Sequence, residues 1–389
     1  MIARLGDICE KKIDTIKAAY KGDIDYVDIS SIDNQRKIIT QIQSMSIEDA
    51  PSRAKQLVFP GDILVSTVRP NLNAVALITK NTDNALVAST GYCVLRCLPN
   101  ADNKYVFYFC QSPTFIEKLV VQATGASYPA VTSAIIRECA LPLPPLEEQR
   151  KIAAVLDKVS GLIAKRRQQL DKLDELVKSR FVEMFGDPVS NSMGLPTESM
   201  TEVCAIIDGD RGKNYPKQDE FSDTGHCLFL NAKNVTTTGF SFENCMFITR
   251  EKDNALHNGK LERGDVVLTT RGTLGNLAFY DDSVPFENVR INSGMVILRM
   301  KKSVVTEVFF IEQFKLQLQS IKDKIASGSA QPQLPISTMS KIKILLAPLE
   351  LQEHFAAFVA QVDTSKLTIQ KSLEKLEMLK KALMQKYFE

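Results

Sequence analysis

The sequence predicts an α+β protein with internal pseudo-twofold symmetry. We expect two similar globular domains with small curled β-sheets, separated by two long antiparallel α-helices that form an intramolecular coiled coil. Three observations predict this fold class: a repeat at a constant offset, short apolar strands in the same part of each repeat, and a long helical pattern that ends each repeat. Two such halves suit a partner that is itself nearly twofold, and duplex DNA is the commonest partner of that kind.

Matching motifs lie 203 positions apart, since 348 − 145 = 203. Pro145-Leu-Glu-Glu-Gln149 returns as Pro348-Leu-Glu-Leu-Gln352. The same offset relates Gly61-Asp62 to Gly264-Asp265, Gly91 to Gly294, Leu95-Arg96 to Leu298-Arg299, Gly125 to Gly328, Pro129 to Pro332 and Phe185 to Phe388. We therefore predict one register, held without a gap from Gly61 to Phe185. Nearer the start, the second half carries about eight extra residues (203 − 195 = 8), because Cys9 matches Cys204 at an offset of 195.

The composition is that of an ordinary globular protein of 389 residues, which is long enough for two or more domains. No apolar run approaches the ~20 residues of a membrane span, and the N-terminus lacks the layout of a signal peptide. We therefore predict a cytoplasmic protein without a membrane partner. The eight cysteines include no Cys-x-x-Cys pair, which predicts buried free thiols and no metal site. A net charge of +2 is low for a protein that coats nucleic acid, so DNA binding needs local basic patches or help from partner subunits.

Short β-branched segments bounded by Gly, Pro and Asn predict the strands of each half. They are 62–67, 74–78 and 92–96 in the first half, and 265–270, 276–280 and 295–299 in the second. A helical stretch follows in each half, from Tyr105 to about Gln122 and from Thr306 to about Ala326. Strand shortness and turn density predict a curled, largely antiparallel sheet in each domain.

A proline-marked entry precedes each long helix, at 141–145 and at 345–348. Proline fixes φ at the helix start, and Glu147 and Glu350 are well placed against the helix dipole. The pattern predicts helices from Leu146 to Phe185 and from Leu349 to Phe388. Within the first, only Gly161 interrupts the helix, at a cost of about 1 kcal/mol relative to alanine.

Apolar residues at alternating spacings of three and four predict a heptad seam on each helix. The seam residues are Leu156, Val159, Ile163, Leu170 and Leu173 in the first helix, and Val359, Val362, Ile369, Leu373 and Leu376 in the second. Arg166 and Arg180 interrupt one seam, whereas Lys366 and Lys380 interrupt the other. Such unlike helices favour pairing with each other within one chain. The alternative is two independent helical hairpins, each folded on its own domain.

The sequence carries no motif of an enzyme that acts on DNA. It lacks a Gly-x-x-x-x-Gly-Lys-Ser/Thr phosphate loop, a Gly-rich turn for a nucleoside cofactor, and the Asn-Pro-Pro-aromatic box with which amino-methyltransferases hold a flipped adenine. Arg271-Gly-Thr-Leu-Gly-Asn276 lies between two strands, where a phosphate cradle is not expected, and Asp281-Asp282 lies in a turn. We interpret the chain as one that binds and positions without catalysing.

Four segments carry a resemblance to a known family. They are Pro145–Ile152, Phe181–Pro188, the Gly-Asp-Ile-Leu-Val-Ser strand at 61–66, and Gly328–Leu334. Together they resemble the DNA-specificity subunit of Type I restriction–modification systems, over essentially the whole chain. We expect no helical segment before the first domain, since the sequence enters that domain almost at Leu5.

The resemblance implies target-recognition domains at 1–143 and 188–346, with conserved spacer helices at 144–187 and 347–389. It implies that each domain reads one half of a split, asymmetric double-stranded DNA target. It also implies partners: two modification (methyltransferase) subunits, and restriction/translocase subunits. This chain would bind no cofactor itself, whereas the partner subunits would use S-adenosylmethionine, and ATP and Mg for restriction.

The loops after the Gly-Asp strands supply candidate DNA contacts, because Arg reads guanine and Asn or Gln reads adenine. The candidates are Arg69, Asn71 and Asn73 in the first half and Arg271, Thr273 and Asn276 in the second. The alternative is that the arginines form surface ion pairs and the asparagines close turns.

Further candidates lie in other polar loops that could hold phosphates. They are Ser127 and Tyr128 after Gly125, Gln331 after Gly328, and Arg211, Lys213, Lys233 and Asn234 in the second half. In the alternative interpretation, Gly125 and Gly328 only permit an unusual φ and the lysines and arginines are ordinary surface charge. Three other functions stay open: a specificity subunit of a methylation-only complex, a coiled-coil protein-binding scaffold, and a methyltransferase that has lost its motif.

Overall fold

The computed structural model describes residues 1–17, 19–326 and 333–389. They form two compact units, unit 1 (Met1–Gln169 with Ile369–Glu389) and unit 2 (Leu170–Thr368). Each unit contains one globular region and one part of each long helix. The predicted α+β class with two long antiparallel helices is confirmed. The predicted four-segment division of the chain stays a prediction.

Unit 1 is built on two main sheets. Its strands are β1 (Ile2–Arg4), β2 (Asp23–Val27), β3 (Ile32–Asp33), β4 (Ile38–Ile39), β5 (Gln43–Ser46), β6 (Ala54–Leu57), β7 (Ile63–Ser66), β8 (Val75–Leu77), β9 (Ala85–Ser89), β10 (Tyr92–Leu95) and β11 (Ala140–Pro142). Its helices are α1 (Leu5–Ile8), α2 (Asn103–Phe109), α3 (Pro113–Gln122), α4 (Ser133–Arg137) and the first part of α5 (Leu146–Phe185). The sheets have strand orders β5-β2-β9-β6 and β10-β7-β8, and only β2 and β9 pair in parallel within them. Two-stranded pairs β1-β11 and β3-β4 complete the described part of the unit.

Unit 2 repeats this plan. Its strands are β12 (Thr197–Ser199), β13 (Cys204–Asp208), β14 (Cys227–Leu230), β15 (Val235–Thr236), β16 (Gly239–Phe240), β17 (Phe247–Ile248), β18 (Val266–Thr269), β19 (Leu277–Phe279), β20 (Val289–Ile291), β21 (Met295–Met300) and β22 (Lys343–Leu345). Its helices are α6 (Met200–Val203), α7 (Arg250–Ala255), α8 (Glu307–Ala326), α9 (Ile336–Met339) and the first part of α10 (Leu349–Phe388). The sheets have orders β13-β21-β18-β19 and β17-β14-β20, with β14 and β20 parallel, beside the pairs β12-β22 and β15-β16.

The Gly-Asp and Leu-Arg motifs of the repeat build the same ion pair in each unit, between a buried aspartate and a partly exposed arginine. Arg96 donates from Nε and Nη2 to Asp62 at 2.9 and 2.7 Å. Arg299 donates in the same way to Asp265 at 2.8 and 2.9 Å. Gly61 and Gly264 precede the acids with φ of 97° and 95°, which only glycine adopts readily. The motif therefore fixes the start of β7 and of β18.

The repeated Gln of the proline-marked motif fastens each long helix to its domain. Gln149 is buried, accepts from the backbone N–H of Asp102 at 2.8 Å, and donates to two carbonyls. Gln352 is also buried, and accepts from the N–H of Thr306 at 2.8 Å while donating to two carbonyls. The repeated Pro-Leu-Glu-x-Gln sequence is thus a structural anchor, since these polar atoms have no water to bind once buried.

The long helices pair antiparallel within each unit. In unit 1, Arg167 of α5 donates to Glu377 of α10 at 2.7 Å. In unit 2, Lys366 of α10 lies 2.8 Å from Asp174 of α5. From Arg167 to Asp174 the residue number in α5 rises, while that of the partner in α10 falls from 377 to 366, so the two helices run antiparallel. Both helices are unbroken over 40 residues. The alternative of two independent helical hairpins is therefore wrong.

The predicted seam residues lie on the inner faces of these helices. Leu156, Val159, Ile163, Val359 and Val362 are buried. The remaining members, Leu170, Leu173, Ile369, Leu373 and Leu376, are half-buried.

The end of each long helix packs in the unit of the other repeat. Phe388 lies in unit 1, where its ring centroid is 5.1 Å from that of Tyr105. Phe185 lies in unit 2, where its ring centroid is 4.8 Å from that of Phe309. Because the repeat matches Phe185 with Phe388, each hydrophobic core is closed by the helix that follows the other globular region.

Two expectations of the sequence pattern are corrected. The helix predicted from Tyr105 to Gln122 is two helices, α2 and α3. The break comes at Ser112, whose hydroxyl accepts from the Phe115 N–H at 3.2 Å, and at Pro113, which has no N–H to continue a helix. The corresponding α8 has no proline and is continuous.

The predicted register without a gap is also wrong, because one loop differs in length between the two halves. Ser66 N–H donates to Ala74 O, and its counterpart Thr269 N–H donates to Asn276 O. The offset is therefore 269 − 66 = 203 before the loop and 276 − 74 = 202 after it. The second loop is one residue shorter, so Asn73 corresponds to Gly275 and not to Asn276.

Candidate nucleic-acid interface

The loop from Thr67 to Asn73 rests on a rigid frame in unit 1. Thr67 donates from its N–H and its hydroxyl to Gly91 O, both at 2.9 Å. Arg69 N–H donates to Pro129 O at 2.7 Å, which joins this loop to the loop at 124–130. That second loop is closed by two hydrogen bonds between Thr124 and Ala130, of 3.0 and 2.8 Å. Two polar loops predicted separately are therefore one surface.

Arg69 and Tyr128 form the centre of this surface. Both side chains are exposed, and the Arg69 guanidinium lies over the Tyr128 ring, 4.5 Å from its centroid. Arg69 holds a left-handed backbone with φ of 49°. Asn71 and Ser127 are exposed beside them. A stacked arginine keeps all its N–H donors available, so this group suits a base edge or a phosphate.

Asn73 has a structural role, contrary to its predicted role in base reading. It is 7% exposed and holds φ of 47°. Its Nδ2 donates to Cys110 O at 2.8 Å, and its Oδ1 accepts from Lys37 Nζ at 2.8 Å. The carbonyl oxygen of Asn73 also accepts from Lys37 Nζ. Both side-chain polar atoms are used within the protein, so Asn73 closes the loop that presents Arg69 and Asn71.

Unit 2 repeats the frame with different side chains. Thr270 donates from its N–H and its hydroxyl to Gly294 O, at 2.8 and 3.0 Å. Leu334 N–H donates to Thr270 O at 3.1 Å, as Val131 does to Thr67 in unit 1 at 2.9 Å. Arg271 and Thr273 are exposed on this loop. Asn276 is half-buried and donates from Nδ2 to Val235 O at 2.9 Å, so it is tied down at the loop end.

The basic loop at 211–213 lies beside Arg271. Arg211 and Arg271 line one cavity of about 240 Å³ together with Asp208 and Gln333. Arg211 forms a 3.0 Å ion pair with Asp208, and Lys213 is exposed two residues further on. Gln333 was missed among the site residues, although it lies inside the Gly328–Leu334 segment that the sequence singled out.

Asp210 holds this basic loop in place. It is 7% exposed and accepts from the N–H groups of Gly212 and His257, both at 2.8 Å. The Gly212 N–H bond is the main reason that the pKa of the Asp210 carboxyl lies below its usual range, and burial opposes it. Sequence patterns do not reveal this role in full, because one of the partners of Asp210, the backbone N–H of His257, comes from a distant segment.

Lys233 and Asn234 have unlike roles. Lys233 is exposed on the short 3₁₀ turn Ala232–Asn234, which lies against the Arg271 loop at Gly272. Asn234 is 1% exposed, and its Nδ2 donates to Ser241 O and Asn244 O, both at 3.0 Å. Its Oδ1 accepts from Asn231 N–H at 2.9 Å. Asn234 is a turn residue, contrary to the predicted contact with DNA, because no polar atom of its side chain is left for a ligand.

Gln331 lies outside the described residues, as do Gly328 and Pro332. In the part of the chain that the structure covers, no group of three or more His, Cys, Asp or Glu residues could hold a metal ion. Within the same residues, no helix has the length and hydropathy to cross a bilayer.

Comparison with known proteins decides the family. A family model for the Type I restriction modification DNA specificity domain matches residues 1–174 and 197–378. The chain belongs to this family. The first match covers the predicted domain 1–143 and the second covers residues 197–346 of the predicted domain 188–346, each with most of the helix that follows. Specificity subunits are the non-catalytic DNA-recognition subunits of Type I systems, and so is this member.

Named relatives agree with this membership. The Type I restriction enzyme MjaVIII specificity subunit of Methanocaldococcus jannaschii is 26% identical over 305 residues, which cover 73% of this chain and 68% of that protein. The MjaIX specificity subunit of the same organism is 22% identical over 398 residues, 95% of this chain and 87% of that protein.

Solved structures show the shared fold of this specificity-domain family. The S subunit of a Type I restriction-modification system from M. genitalium has a TM-score of 0.56 at 16% identity, over 100% of this chain and 96% of that one. A chain from a study of assembly and conformational transition in a type I R-M system has a TM-score of 0.55 at 23% identity, over 100% and 97%.

Proposed function

We propose that this specificity-family member recognises a bipartite, asymmetric sequence in double-stranded DNA and directs methyltransferase subunits, and restriction subunits where present, to it. One observation carries the proposal. The same loop is built twice on the same Thr–Gly hydrogen-bonded frame, but it presents different side chains. Identical frames with unlike contents suit two readers of unlike half-sites.

In unit 1, the reader is the surface formed by Arg69, Asn71, Ser127 and Tyr128. In unit 2, it is the group of Arg271, Thr273, Arg211, Lys213 and Lys233, with Gln333. The net charge of +2 supports local contact of this kind over general coating of DNA. Gln331 stays a candidate on sequence alone.

Substitution of one arginine in each reader tests this assignment. Arg69→Ala and Arg271→Ala are each co-expressed with the cognate methyltransferase subunits, and modified adenines are mapped by single-molecule sequencing of the host DNA. We expect each variant to relax one half-site and leave the other intact, at a cost of about 1–3 kcal/mol per lost bidentate contact. Each variant is therefore the control for the other.

A third variant separates base reading from a general loss of charge. Arg250 is an exposed arginine at the start of α7, outside both readers. Arg250→Ala should leave the recognised sequence and its occupancy unchanged. If Arg69→Ala and Arg271→Ala weakened modification equally at every base of the target, the arginines would be phosphate contacts. Altered bases in both half-sites from one variant would contradict the assignment of one reader to each unit.

The paired helices are proposed to set the unread gap between the half-sites. Seven residues inserted after Gln169 in α5 and after Thr368 in α10 preserve the heptad seam. At ~1.5 Å per helical residue and ~3.4 Å per base pair, the gap should grow by about three base pairs. Altered half-sites with an unchanged gap would disprove this role.

Co-purification separates the proposal from the coiled-coil scaffold. A specificity subunit should need a methyltransferase partner and then retain one bipartite sequence. A scaffold should be indifferent to DNA. A methylation-only complex would give the same modified sequence without cleavage of unmodified DNA.

A further inference from the structure

The unusual feature outside the DNA readers is a pair of cysteines, Cys9 and Cys97, that face each other across an antiparallel bridge in unit 1. Glu10 N–H donates to Arg96 O and Leu98 N–H donates to Ile8 O, both at 2.8 Å. The hydrogen bonds thus connect the neighbours of the two cysteines and not the cysteines themselves. This is the non-hydrogen-bonded type of antiparallel pair, in which the Cα atoms lie about 4.5 Å apart and the side chains are closest.

We propose that Cys9 and Cys97 are a redox-modification site that closes to a cross-strand disulfide. A Cα separation near 4.5 Å falls within the range that disulfides span, so the backbone needs little movement. The chain contains eight cysteines, and all those in the structure are free thiols. Among the paired strand residues that the structure describes, this bridge is where one cysteine lies opposite another.

The two thiols already interact, and one of them is activated. A hydrogen bond from Cys97 is the main reason that the pKa of Cys9 lies below its usual value, while burial opposes this and the nearby charge of Arg137 adds to it. The hydrogen bond to Cys9 raises the pKa of Cys97 in turn. Arg137 is fixed there by hydrogen bonds of 2.8 and 3.1 Å to Glu10 O and Val94 O. A shared proton next to a guanidinium is an environment that favours a thiolate.

A small oxidant can reach the pair from one side. Cys9 is 1% exposed, but Cys97 is half-buried and lines a cavity of about 540 Å³. Arg150, an exposed residue of α5, lines the same cavity. Asp62 and Asp102 also line this cavity, so access for a low-molecular-weight disulfide rests on the volume of the cavity and on the position of Cys97, and not on charge.

The chemistry balances with that co-reactant. As the Cys97 sulfur attacks one sulfur of the external disulfide, its proton passes to Cys9 through their hydrogen bond, and the attack forms a mixed disulfide and releases one external thiolate. The released thiolate takes that proton from Cys9 and restores the Cys9 thiolate. Cys9 thiolate then attacks the Cys97 sulfur, which forms the Cys9–Cys97 bond and releases the second external thiolate. Two protein thiols are oxidised, one external disulfide is reduced, and the two protein protons pass to the two external thiols.

Unit 2 supplies a natural control. Cys204 occupies the position of Cys9, and it is paired with Met300, the counterpart of Cys97. Lys301 N–H donates to Val203 O at 2.8 Å, which repeats the Leu98 to Ile8 bond. The same backbone geometry therefore carries one thiol where unit 1 carries two, so only unit 1 can be cross-linked here.

The test uses the full chain in glutathione buffers of increasing oxidised fraction. Thiols are then trapped with N-ethylmaleimide under denaturing conditions and peptides are mapped by mass spectrometry. We expect free thiols to fall from eight to six, with one cross-linked peptide joining Cys9 to Cys97, and an increase in the melting temperature of the oxidised chain. Dithiothreitol should reverse both changes.

Two variants make the outcome specific. Cys97→Met copies the pair of unit 2 and should abolish both the cross-link and the change in melting temperature. Cys9→Ser should stop the reaction at Cys97 carrying one glutathione. Eight free thiols throughout the redox series, a cross-link between other cysteines, or a wild-type chain that ends with glutathione on Cys97 would each overturn the proposal. None of these outcomes depends on DNA recognition.

Discussion

Units 1 and 2 share the same supporting interactions and differ in the exposed side chains that these interactions hold in place. Both contain the Asp–Arg pair, the buried Gln anchor and the Thr–Gly contact under the reader loop. They differ in the reader itself. Unit 1 presents one arginine stacked on an exposed tyrosine, whereas unit 2 groups arginines and lysines from three loops. The repeat therefore marks what holds the loops, and the departures from it mark what the loops present.

The largest expected effect comes from truncating the aromatic ring at the end of each long helix. Phe185→Ala and Phe388→Ala each remove a buried ring and should cost about 3–5 kcal/mol. Because Phe185 packs in unit 2, its loss should reduce hydrogen-exchange protection in α8. Loss of Phe388 should reduce protection in α2. Reduced protection of α2 by Phe185→Ala would contradict the exchange of helix ends between the repeats.

Replacement of the anchoring glutamine should lower stability by nearly the same amount in the two units. Gln149→Ala leaves the Asp102 N–H without its partner, and Gln352→Ala does the same to the Thr306 N–H. We expect a loss of about 2–3 kcal/mol in each case, measured by urea unfolding, because a buried donor is left unsatisfied. A large difference between the two variants would show that the repeated motif has unlike roles.

The reader loop of unit 1 should separate structural from functional residues. Asn73→Ala removes two hydrogen bonds from a buried side chain, so we expect a loss of about 1–3 kcal/mol in stability. Arg69→Ala changes an exposed residue and should stay within about 0.5 kcal/mol. Chemical denaturation of both variants checks this. An unchanged stability of Asn73→Ala would restore Asn73 as a candidate for DNA contact.

The smallest expected effect is a difference in pH dependence between two lysines. Burial, together with the charge of Lys380, lowers the pKa of Lys37 in unit 1 to about 8, and Asp33 opposes the change. The unfolded state then holds more protons than the folded state between about pH 8 and the usual lysine value, so the contribution of Lys37 to stability should rise with pH in that window. We expect the free energy of unfolding of the wild type to rise by about 1 kcal/mol relative to that of Lys37→Met from pH 8 to pH 10.

Lys366 of unit 2 is the matched control. Burial is the largest single influence on its pKa and would lower it, but the hydrogen bonds and charges of Asp174 and Asp363 together outweigh burial and raise the pKa. A raised pKa gives a contribution that is complete below the usual lysine value and is lost only at higher pH. The stability difference between the wild type and Lys366→Met should therefore stay constant from pH 8 to pH 10. Parallel behaviour of the two lysines would contradict the assigned environments.

The sequence by itself determined the repeat, the positions of the main strands and the full extent of both long helices. These features depend on local patterns: apolar periodicity, proline at a helix start, and glycine before a turn. The same patterns placed Leu156 and Val359 on buried helix faces, because a heptad spacing defines a face without knowledge of the partner.

Tertiary structure alone decided which polar residues are available to a ligand. Asn71 and Asn73 are alike in sequence, yet one is exposed and the other is enclosed by Lys37 and the carbonyl of Cys110. The contact of Asp210 with His257 and the Cys9–Cys97 pair were decided in the same way, by segments far away in the chain. Hydrogen-bond partners and burial are properties of the packed chain. A linear sequence pattern does not show which distant group will pack against a given residue.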